Sequence, residues 1–303
     1  MRHLLILRQI EAVARLGSIR KAAERLAITP SALNRRVMAF EAELGEKIFE
    51  RLPRGVRLNP AGELLLHAGR RQLADMERVR SQIADLSGVR RGHVAIACSQ
   101  ALAPYFLPEQ ITLYAAQHPA VRFDVTVADH AEAERALLSF AADVALIIGP
   151  VERVETQPVL SVAQTLMAVM AADHPLAART SLRLRDCLEW PLALPKAPFG
   201  GRRLLERAAA RLTRPLEPAF ESNSFEHLKA VAMRSRAIAF QFSVGAPQGR
   251  EHGLASVPLD RRDVPDGALV AAQLRGRTLP VAAARFLDQL VRTLLQRYSQ
   301  PIA

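Results

Sequence analysis

Cysteine is scarce in this chain of 303 residues, which contains only Cys98 and Cys187. The two lie far apart and form neither a C-x-x-C pair nor a cysteine–histidine cluster. Metal sites built on cysteine need such spacings, so we expect no metal site. We predict two buried free thiols; a redox switch is the alternative.

Long uncharged apolar runs are also missing. No segment approaches the roughly 20 apolar residues that a membrane-spanning helix needs. The N-terminal run LLILRQIEAVARLG is interrupted by Arg8, Glu11 and Arg15, unlike a signal peptide. We therefore predict a cytoplasmic protein without membrane contact.

The motifs of common α/β enzymes are missing as well. The chain has no G-x-S-x-G turn, no glycine-rich nucleotide loop and no His/Asp/Glu spacing typical of a metal centre. We accordingly predict no catalytic residues, no metal and no cofactor. An α/β enzyme is kept as an alternative class of function.

Positive charge, in contrast, is abundant and unevenly distributed. The formal net charge is +11 and the pI is about 10.8. Residues 1–91 contain 18 Lys/Arg and 10 Asp/Glu, a net of +8, whereas the remaining 23 and 20 give +3. This distribution favours a polyanionic partner for the N-terminal part. With 50% hydrophobic residues, the chain is long enough for two or three folding units.

The stretch from Ser18 to Arg36 predicts two short helices joined by a tight turn, as in a helix-turn-helix that binds DNA. Gly17 can end a preceding helix, and Ser18 can cap the free N–H groups of the next. Thr29-Pro30 supplies a capping hydroxyl followed by proline at the first helical position, where its missing N–H costs little.

The helix that begins there is expected to have two distinct stripes. Apolar residues recur at spacings of four, three and four, at Leu33, Val37, Phe40 and Leu44. A polar stripe contains Ser31, Asn34, Arg35 and Met38. Its hydrogen-bonding groups suit base edges in a major groove, whereas the alternative is an ordinary solvated face.

The segment from Phe49 to Leu58 has a Pro/Gly turn between two short extended pieces. Arg51, Arg54 and Arg57 follow one another at a spacing of three. We interpret this segment as a basic β-wing that contacts phosphate or a minor groove.

A long helix is predicted after the wing, because Asn59-Pro60 repeats the cap-then-proline pattern and no proline follows as far as Ser87. About 27 helical residues would extend roughly 40 Å. Its apolar seam has spacings that fit a short coiled coil between two subunits. The seam residues are Leu65, Ala68, Gln72, Met76, Val79, Ile83 and Leu86. The alternative is a helix packed on its own domain.

The period of the pattern changes after GVRRG, residues 88–92, which predicts a hinge. Short extended runs (HVAIAC, VRFDVTV, DVALII, LMAVMA, PLAL, AIAFQF, LASVPL) alternate with helical ones (LPEQITLYAAQH, HAEAERALLSFA, GGRRLLERAAARL, SFEHLKAVAMR). This alternation predicts an α/β fold with largely parallel sheets. About 210 residues is large for one such lobe, so we expect two lobes with a cleft between them.

The segment from Leu4 to Leu66 resembles the N-terminal domain of the LysR-type transcriptional regulators. The motifs that carry the resemblance are AVARLGSIRKAAERLAITPSALNRRV and FEAELGEKIFERLPRGVRLNPAGELLL, and LPVAAARFLDQLVRTL is similar to the family's last helix. The resemblance implies a multidomain α and α/β protein. Its parts would be a winged helix-turn-helix (1–59), a linker helix for dimerisation with a hinge (60–91), and an effector domain like periplasmic solute-binding proteins (92–303). In that domain, lobe I would comprise 92–163 and 267–303, and lobe II 164–266.

The resemblance also implies a function: sequence-specific transcriptional regulation in response to a small-molecule effector bound between the lobes. Expected partners are double-stranded operator DNA, the effector, a second copy of the chain in a dimer or tetramer, and RNA polymerase. A non-specific architectural DNA protein is a further alternative. The residues predicted to contact DNA are Ser18, Thr29, Pro30, Ser31, Asn34, Arg35, Arg36, Arg51, Arg54 and Arg57.

Effector contacts are expected where strands of the α/β part end, because ligands bind at the carboxyl ends of parallel strands, often against a helix N-terminus. The predicted residues are Ser99, Gln100, Ile148, Lys196, Asn223 and Gln241. Lys196 would suit an anionic effector such as a carboxylate. Alternatives are a solvated loop lysine for Lys196 and a plain helix cap for Asn223.

Overall fold

The computed structural model describes residues 2–86, 92–197, 199–212, 215–248 and 253–298, without the side chains of residues 2 and 84–86. The chain forms two compact units, residues 1–87 and 88–303. The predicted hinge lies outside the described residues except for Gly92. No helix in the described part combines the length and apolar character needed to cross a membrane.

The first unit is a helical domain with a two-stranded wing and a long final helix. Its elements are α1 (Arg2–Leu16), α2 (Ile19–Arg25), α3 (Pro30–Leu44), β1 (Phe49–Leu52), β2 (Gly55–Leu58) and α4 (Pro60–Leu86). The small apolar core holds α1, α2 and α3 together around Ile10, Val13, Ala22, Leu33 and Val37.

Local hydrogen bonds explain where these helices begin and end. The Ser18 hydroxyl accepts from the Lys21 N–H, and the Thr29 hydroxyl accepts from the Ala32 N–H. Gly45 ends α3 in the left-handed conformation, with φ 81°. The predicted caps are therefore confirmed. Leu44, however, is exposed, because it lies in the last turn of α3 beyond the reach of the core.

The wing is an antiparallel hairpin in which Phe49 pairs with Leu58 and Leu52 with Gly55. It is fastened to the turn between α1 and α2, because the Val56 N–H donates to the Gly17 carbonyl at 2.9 Å. Gly55 has φ 128°, and a Cβ added there would lie 2.3 Å from the Gly17 carbonyl oxygen. Only glycine permits this close approach.

Helix α4 buries one side against its own domain and leaves another exposed. Leu66 is buried, and Leu65 packs against the domain core. Leu65, the first residue of the predicted seam, thus has contacts within its own domain, whereas its neighbour Leu64 is 75% exposed. Farther along, Val79 and Ile83 are exposed by 38% and 58%. The Leu86 side chain lies outside the described residues.

The second unit consists of two five-stranded sheets with helices packed on them. Strands and helices of lobe I are β3 (Gly92–Cys98), α5 (Phe106–Gln117), β4 (Val121–Val127), α6 (His130–Leu138), β5 (Val144–Ile148), β6 (Thr156–Gln164), β12 (Gly267–Leu274) and α10 (Val281–Tyr298). Those of lobe II are β7 (Leu166–Ala171), α7 (Leu184–Cys187), β8 (Leu192–Pro195), α8 (Gly200–Ala209), β9 (Pro218–Ser222), α9 (Phe225–Arg234), β10 (Ile238–Phe242) and β11 (Leu254–Pro258).

Both sheets are mixed rather than largely parallel. The strand orders are β4-β3-β5-β12-β6 in lobe I and β11-β7-β10-β8-β9 in lobe II. The neighbours of β3 and β8 are parallel, whereas β12 and β7 run antiparallel to both of their neighbours. The sequence interpretation missed β6, β9 and β12, and the antiparallel strands β6 and β12 are those that join the lobes.

The chain crosses from lobe I to lobe II between Gln164 and Leu166, and returns between Pro258 and Gly267. Hydrogen bonds join the two lobes at this crossing. The buried Gln164 carboxamide oxygen of lobe I accepts from the Ser243 hydroxyl and the Val244 N–H of lobe II. One apolar cluster continues through both lobes, from Ile96 and Phe286 in lobe I to Leu194 and Phe240 in lobe II.

Substitution of Gly55 by alanine should weaken the attachment of the wing. The new methyl group would meet a backbone carbonyl in a backbone conformation that L-residues avoid, at a cost of about 1–3 kcal/mol. Hydrogen exchange of residues 49–58 in the full chain should accelerate accordingly. Gly45→Asn is the matched control, since a Cβ at Gly45 meets no atom within 4 Å and asparagine tolerates its φ of 81°. Equal wing protection in both variants would contradict the proposed fastening.

Candidate DNA-binding and effector-binding sites

The polar stripe predicted on α3 faces solvent. Ser31, Arg35 and Met38 are exposed and Asn34 is half-buried, while Leu33 and Val37 on the opposite side are buried. The Arg35 guanidinium has no hydrogen-bond or ion-pair partner among the described residues, so it is available to an acceptor such as the O6 and N7 atoms of guanine. The Asn34 amide lies 3.5 Å from the Met38 sulfur, a weak contact that a base edge can replace.

Four other residues of the helices were predicted to contact DNA. Three of them cap or begin a helix, and the fourth points away from the polar stripe. The hydroxyls of Ser18 and Thr29 cap α2 and α3, and Pro30 begins α3, so these residues fix the orientation of the helices. Arg36 is exposed but lies beside a groove between α1 and α3 that includes His3 and Phe40. It points away from the stripe because one residue along a helix rotates the side chain by about 100°.

The wing presents its three arginines differently. Arg51 and Arg54 are exposed and have no ion pair among the described residues. Arg57 forms an ion pair with Glu50 across the hairpin, with 2.7 Å between Nη2 and Oε2. This hydrogen bond raises the pKa of Arg57 above its ordinary value. Glu50 therefore competes with any phosphate for Arg57.

A cavity of about 170 Å³ lies between the two lobes of the second unit. Lobe I contributes the ends of β3 and β5 and the start of α6, and lobe II contributes the start of α8 and of α9. The lining residues are Ser99, Ala101, Ala128, Asp129, His130, Ala131, Ile147, Ile148, Glu152, Phe199, Gly200, Gly201, Arg203, Phe225 and Phe242. Most of the wall is apolar, with a few polar groups that converge on it.

Two of the residues predicted for the effector, Ser99 and Ile148, line this cavity. Gln100 lies next to it and connects the lobes. Its Nε2 donates to the Asn223 carbonyl at 2.7 Å, and its Oε1 accepts from the Phe225 N–H at 3.2 Å. Gln100 thus ties the end of β3 to the start of α9 rather than facing the cavity.

The other three predicted residues do not line the cavity in the described structure. Lys196 is exposed beyond the end of β8, as its solvated alternative predicted. Asn223 is exposed as well, and the cap of α9 is its neighbour Ser224, whose hydroxyl accepts from the His227 N–H. Gln241 is only 2% exposed, because it lies inside the sheet and its carboxamide oxygen accepts from the Phe242 N–H.

Sequence reasoning missed Arg203, on the first turn of α8. Arg203 lines the cavity, and its guanidinium has no ion pair among the described residues. The adjacent Arg202 instead pairs with Glu206 at 2.6 Å and Glu221 at 3.1 Å. Helical periodicity over GGRRLLERAA separates the two arginines by about 100°, but only the lobe arrangement decides which one faces the cleft.

Both cysteines are free and fully buried, as predicted. Burial raises the pKa of the Cys98 thiol to about 11 and that of Cys187 to about 12. The thiolate, which is the reactive form, is therefore scarce at neutral pH.

The sequence pattern of bacterial regulatory helix-turn-helix proteins of the lysR family matches residues 4–63. That of the LysR substrate binding domain matches residues 87–295. The chain belongs to the LysR family. This LysR-family protein is a DNA-binding transcriptional regulator with an effector-binding domain, and it is not an enzyme.

Individual relatives agree with this assignment. The chain is 30% identical over 204 residues to the RuBisCO operon transcriptional regulator of Allochromatium vinosum, a match that covers 66% of each chain. A full-length OxyR variant from Pseudomonas aeruginosa shares the fold with a TM-score of 0.70 at 20% identity, covering 98% of this chain and 95% of that one. Full-length CbnR, in a crystal structure with its target DNA, has a TM-score of 0.65 at 20% identity, covering 96% and 99%.

Removal of the Glu50 carboxylate should strengthen non-specific DNA binding by this LysR-family protein. Glu50→Gln frees Arg57, so one more phosphate contact should form and the slope of log K against log salt should become steeper by about 0.9. Fluorescence anisotropy with random-sequence duplex at several salt concentrations measures this slope. Glu77→Gln, which removes a carboxylate that pairs with Arg80 in α4, is the control. An unchanged slope in Glu50→Gln would show that Arg57 contacts no phosphate.

Proposed function

We propose that this regulator binds its operator as a dimer through α3 and the wing, and that a small anionic effector in the cavity between the lobes alters this binding. The observation that carries the effector proposal is Arg203, a residue of the cavity lining whose guanidinium has no ion pair among the described residues. A regulator that acts on operator DNA and RNA polymerase works in the cytoplasm, which is where we place it.

The anionic character of the effector follows from two features of α8. The helix begins at Gly200 after a residue, Phe199, that offers no side-chain cap, so the first N–H groups of the helix keep their capacity to donate. Gly200 and Gly201 both line the cavity. A helix N-terminus and an arginine in its first turn together attract a negative charge. We propose that a carboxylate binds here.

The size of the cavity limits the remainder of the effector. An engineered apolar cavity of about 150 Å³ accommodates benzene, and the cavity here has about 170 Å³. Apolar contacts from Ile148, Phe225 and Phe242 would enclose a molecule of this size. A monocarboxylate with about six to nine non-hydrogen atoms fits this space. Benzoate is therefore a suitable first probe.

Contacts between the lobes could link effector binding to a change in DNA binding. Gln100 bonds the end of β3 to the start of α9. Nearby, the Lys229 ammonium of lobe II lies over the Tyr105 ring of lobe I, 4.9 Å from its centroid. An effector that contacts both lobes stabilises this closed arrangement over an open one by the difference in its affinity for the two. The altered populations of lobe arrangements would then alter DNA binding.

The exposed apolar residues of α4 support pairing of two chains along this helix. Leu64, Val79 and Ile83 are all exposed on it, and pairing with the same helix of a second chain would bury them. Two helix-turn-helix units related by a two-fold axis suit a two-fold operator. We propose α4 as the dimerisation helix.

Arg203→Ala should weaken binding of an anionic effector. It removes a charge-assisted hydrogen bond worth about 1.5–3 kcal/mol, so affinity should fall about tenfold to a hundredfold. Calorimetry with benzoate, or with the carboxylate that most raises the thermal midpoint in a screen, measures this loss. Operator affinity without effector should remain that of the unsubstituted chain.

Arg207→Ala supplies the matched control, since Arg207 is exposed one turn farther along α8. Lys196→Ala should also bind the effector normally, because Lys196 lies outside the cavity lining. If Arg203→Ala and Arg207→Ala bind the effector equally well, the anion site has been misassigned. If no carboxylate of this size raises the midpoint, the proposed effector class is wrong.

Ile83→Asp should dissociate the dimer. An aspartate in an apolar seam must either bury an unpaired charge or leave the interface open, and the first option is costly. Sedimentation velocity should show the monomer, and operator affinity should fall with it. Gln82→Asp, one residue along and also exposed, should remain dimeric. Dimers in both variants would place the subunit contact elsewhere.

A further inference from the structure

A cluster of three potential metal ligands lies at the wall of the cavity between the lobes. Single ligand atoms of His130, Glu134 and Glu152 all lie within 4.8 Å of one another. His130 and Glu134 are four residues apart in α6 and so share one face of the helix. Glu152 follows β5, and both His130 and Glu152 line the cavity.

His130 is largely buried beside the Glu134 carboxylate but makes no hydrogen bond with a described residue through its ring. Its side chain is only 13% exposed, and both ring nitrogens are buried without a hydrogen-bond partner in the described structure. The Nδ1 side of the ring faces the Gly149 backbone, because a Cβ at Gly149 would lie 3.3 Å from Nδ1. Nε2 is therefore the nitrogen directed at the carboxylates. A buried imidazole nitrogen without a hydrogen-bond partner calls for an explanation, and a cation bound between it and the carboxylates is one.

The spacing between His130 and Glu134 suits a metal-bridged pair. Nε2 lies 3.5 Å from Glu134 Oε2, which is too long for a good hydrogen bond. Two ligand atoms bound to one zinc ion at about 2.1 Å each in tetrahedral geometry are about 3.4 Å apart. The distance between His130 Nε2 and Glu134 Oε2 therefore needs little adjustment for both atoms to bind one ion.

The buried Glu134 carboxylate is already oriented. Its side chain is 1% exposed, and its Oε1 accepts from the N–H groups of Glu152 at 3.1 Å and Arg153 at 3.2 Å. These bonds direct Oε2 to His130 and hold the loop that bears Glu152 beside the helix. Outer hydrogen bonds of this kind are typical supports of metal ligands.

We propose that His130, Glu134 and Glu152 bind a divalent first-row transition ion of the Zn²⁺ class. One imidazole and two carboxylates form a nitrogen and oxygen set that suits such ions better than Ca²⁺ or Mg²⁺, which prefer oxygen alone. Three protein ligands leave a coordination position open for a further ligand. The proposal departs from the sequence prediction of no metal, because two ligands follow a helical spacing and the third comes from a separate loop.

Zinc binding by the full chain tests this proposal. The protein is purified without a polyhistidine tag, freed of metal with a chelator, and titrated with ZnCl₂ in competition with a chromophoric chelator. One equivalent per chain should bind to the unsubstituted protein. His130→Gln and Glu152→Gln should each weaken binding by at least about tenfold, because even loss of an outer partner costs about tenfold to a hundredfold.

Two control variants carry the same types of substitution at residues outside the proposed site. His227→Gln and Glu155→Gln replace an exposed histidine and an exposed glutamate near the substituted loop, and both should retain the zinc. Glu134→Gln is avoided, since its carboxylate also holds the loop. Thermal midpoints of the metal-free variants should match the unsubstituted protein, which separates lost ligation from misfolding.

Cobalt provides a second readout. Co²⁺ in a site of low coordination number absorbs visible light intensely, and this absorption should appear in the unsubstituted chain and vanish in His130→Gln. Failure of the unsubstituted chain to bind stoichiometric zinc would overturn the proposal. Zinc binding by His130→Gln and Glu152→Gln as tight as that of the unsubstituted chain would also overturn it. The titration needs no effector, so its outcome is independent of the proposed function.

Discussion

Close backbone approach where the lobes meet sets the distance between them, and the cavity depends on that distance. A Cβ at Gly245 would lie 2.3 Å from the Ala101 carbonyl oxygen, and one at Gly267 would lie 2.5 Å from the Phe242 ring. Larger residues at either glycine would push the lobes apart. The first of these contacts brings the segment after β3 of lobe I close to the segment after β10 of lobe II, and Ser99 and Phe242 line one small space.

Much of the first unit was predictable because its determinants are local. Caps, a left-handed glycine and a short hairpin depend on neighbouring residues, and Gly17, Ser18 and Thr29 act as the sequence indicates. Leu65 was harder to place, because helical periodicity cannot tell a stripe that packs within the chain from one that meets a second chain. Leu64 and Leu65 are adjacent in sequence, but Leu65 packs against the domain core and Leu64 is exposed.

The second unit shows where local reasoning stops. Strands ending near a cleft were identified, so Ser99 and Ile148 were found, but strand ends alone also suggested Lys196, Asn223 and Gln241. Strand β6 is an edge strand of its sheet and β12 is its inner neighbour. Both alternate poorly in polarity, so their register emerges only from long-range pairing. Arg203 and His130 become recognisable only when elements distant in sequence lie side by side.

The contact between Lys229 and Tyr105 has a consequence for how the lobes part. Lys229 is 4% exposed in the closed arrangement, with Glu226 at 2.7 Å and an aromatic ring as its surroundings. A largely dehydrated ammonium gains solvation when the lobes separate, which opposes the apolar attraction across the crossing strands. Hydration regained by Lys229 would therefore lower the free-energy cost of separating the lobes.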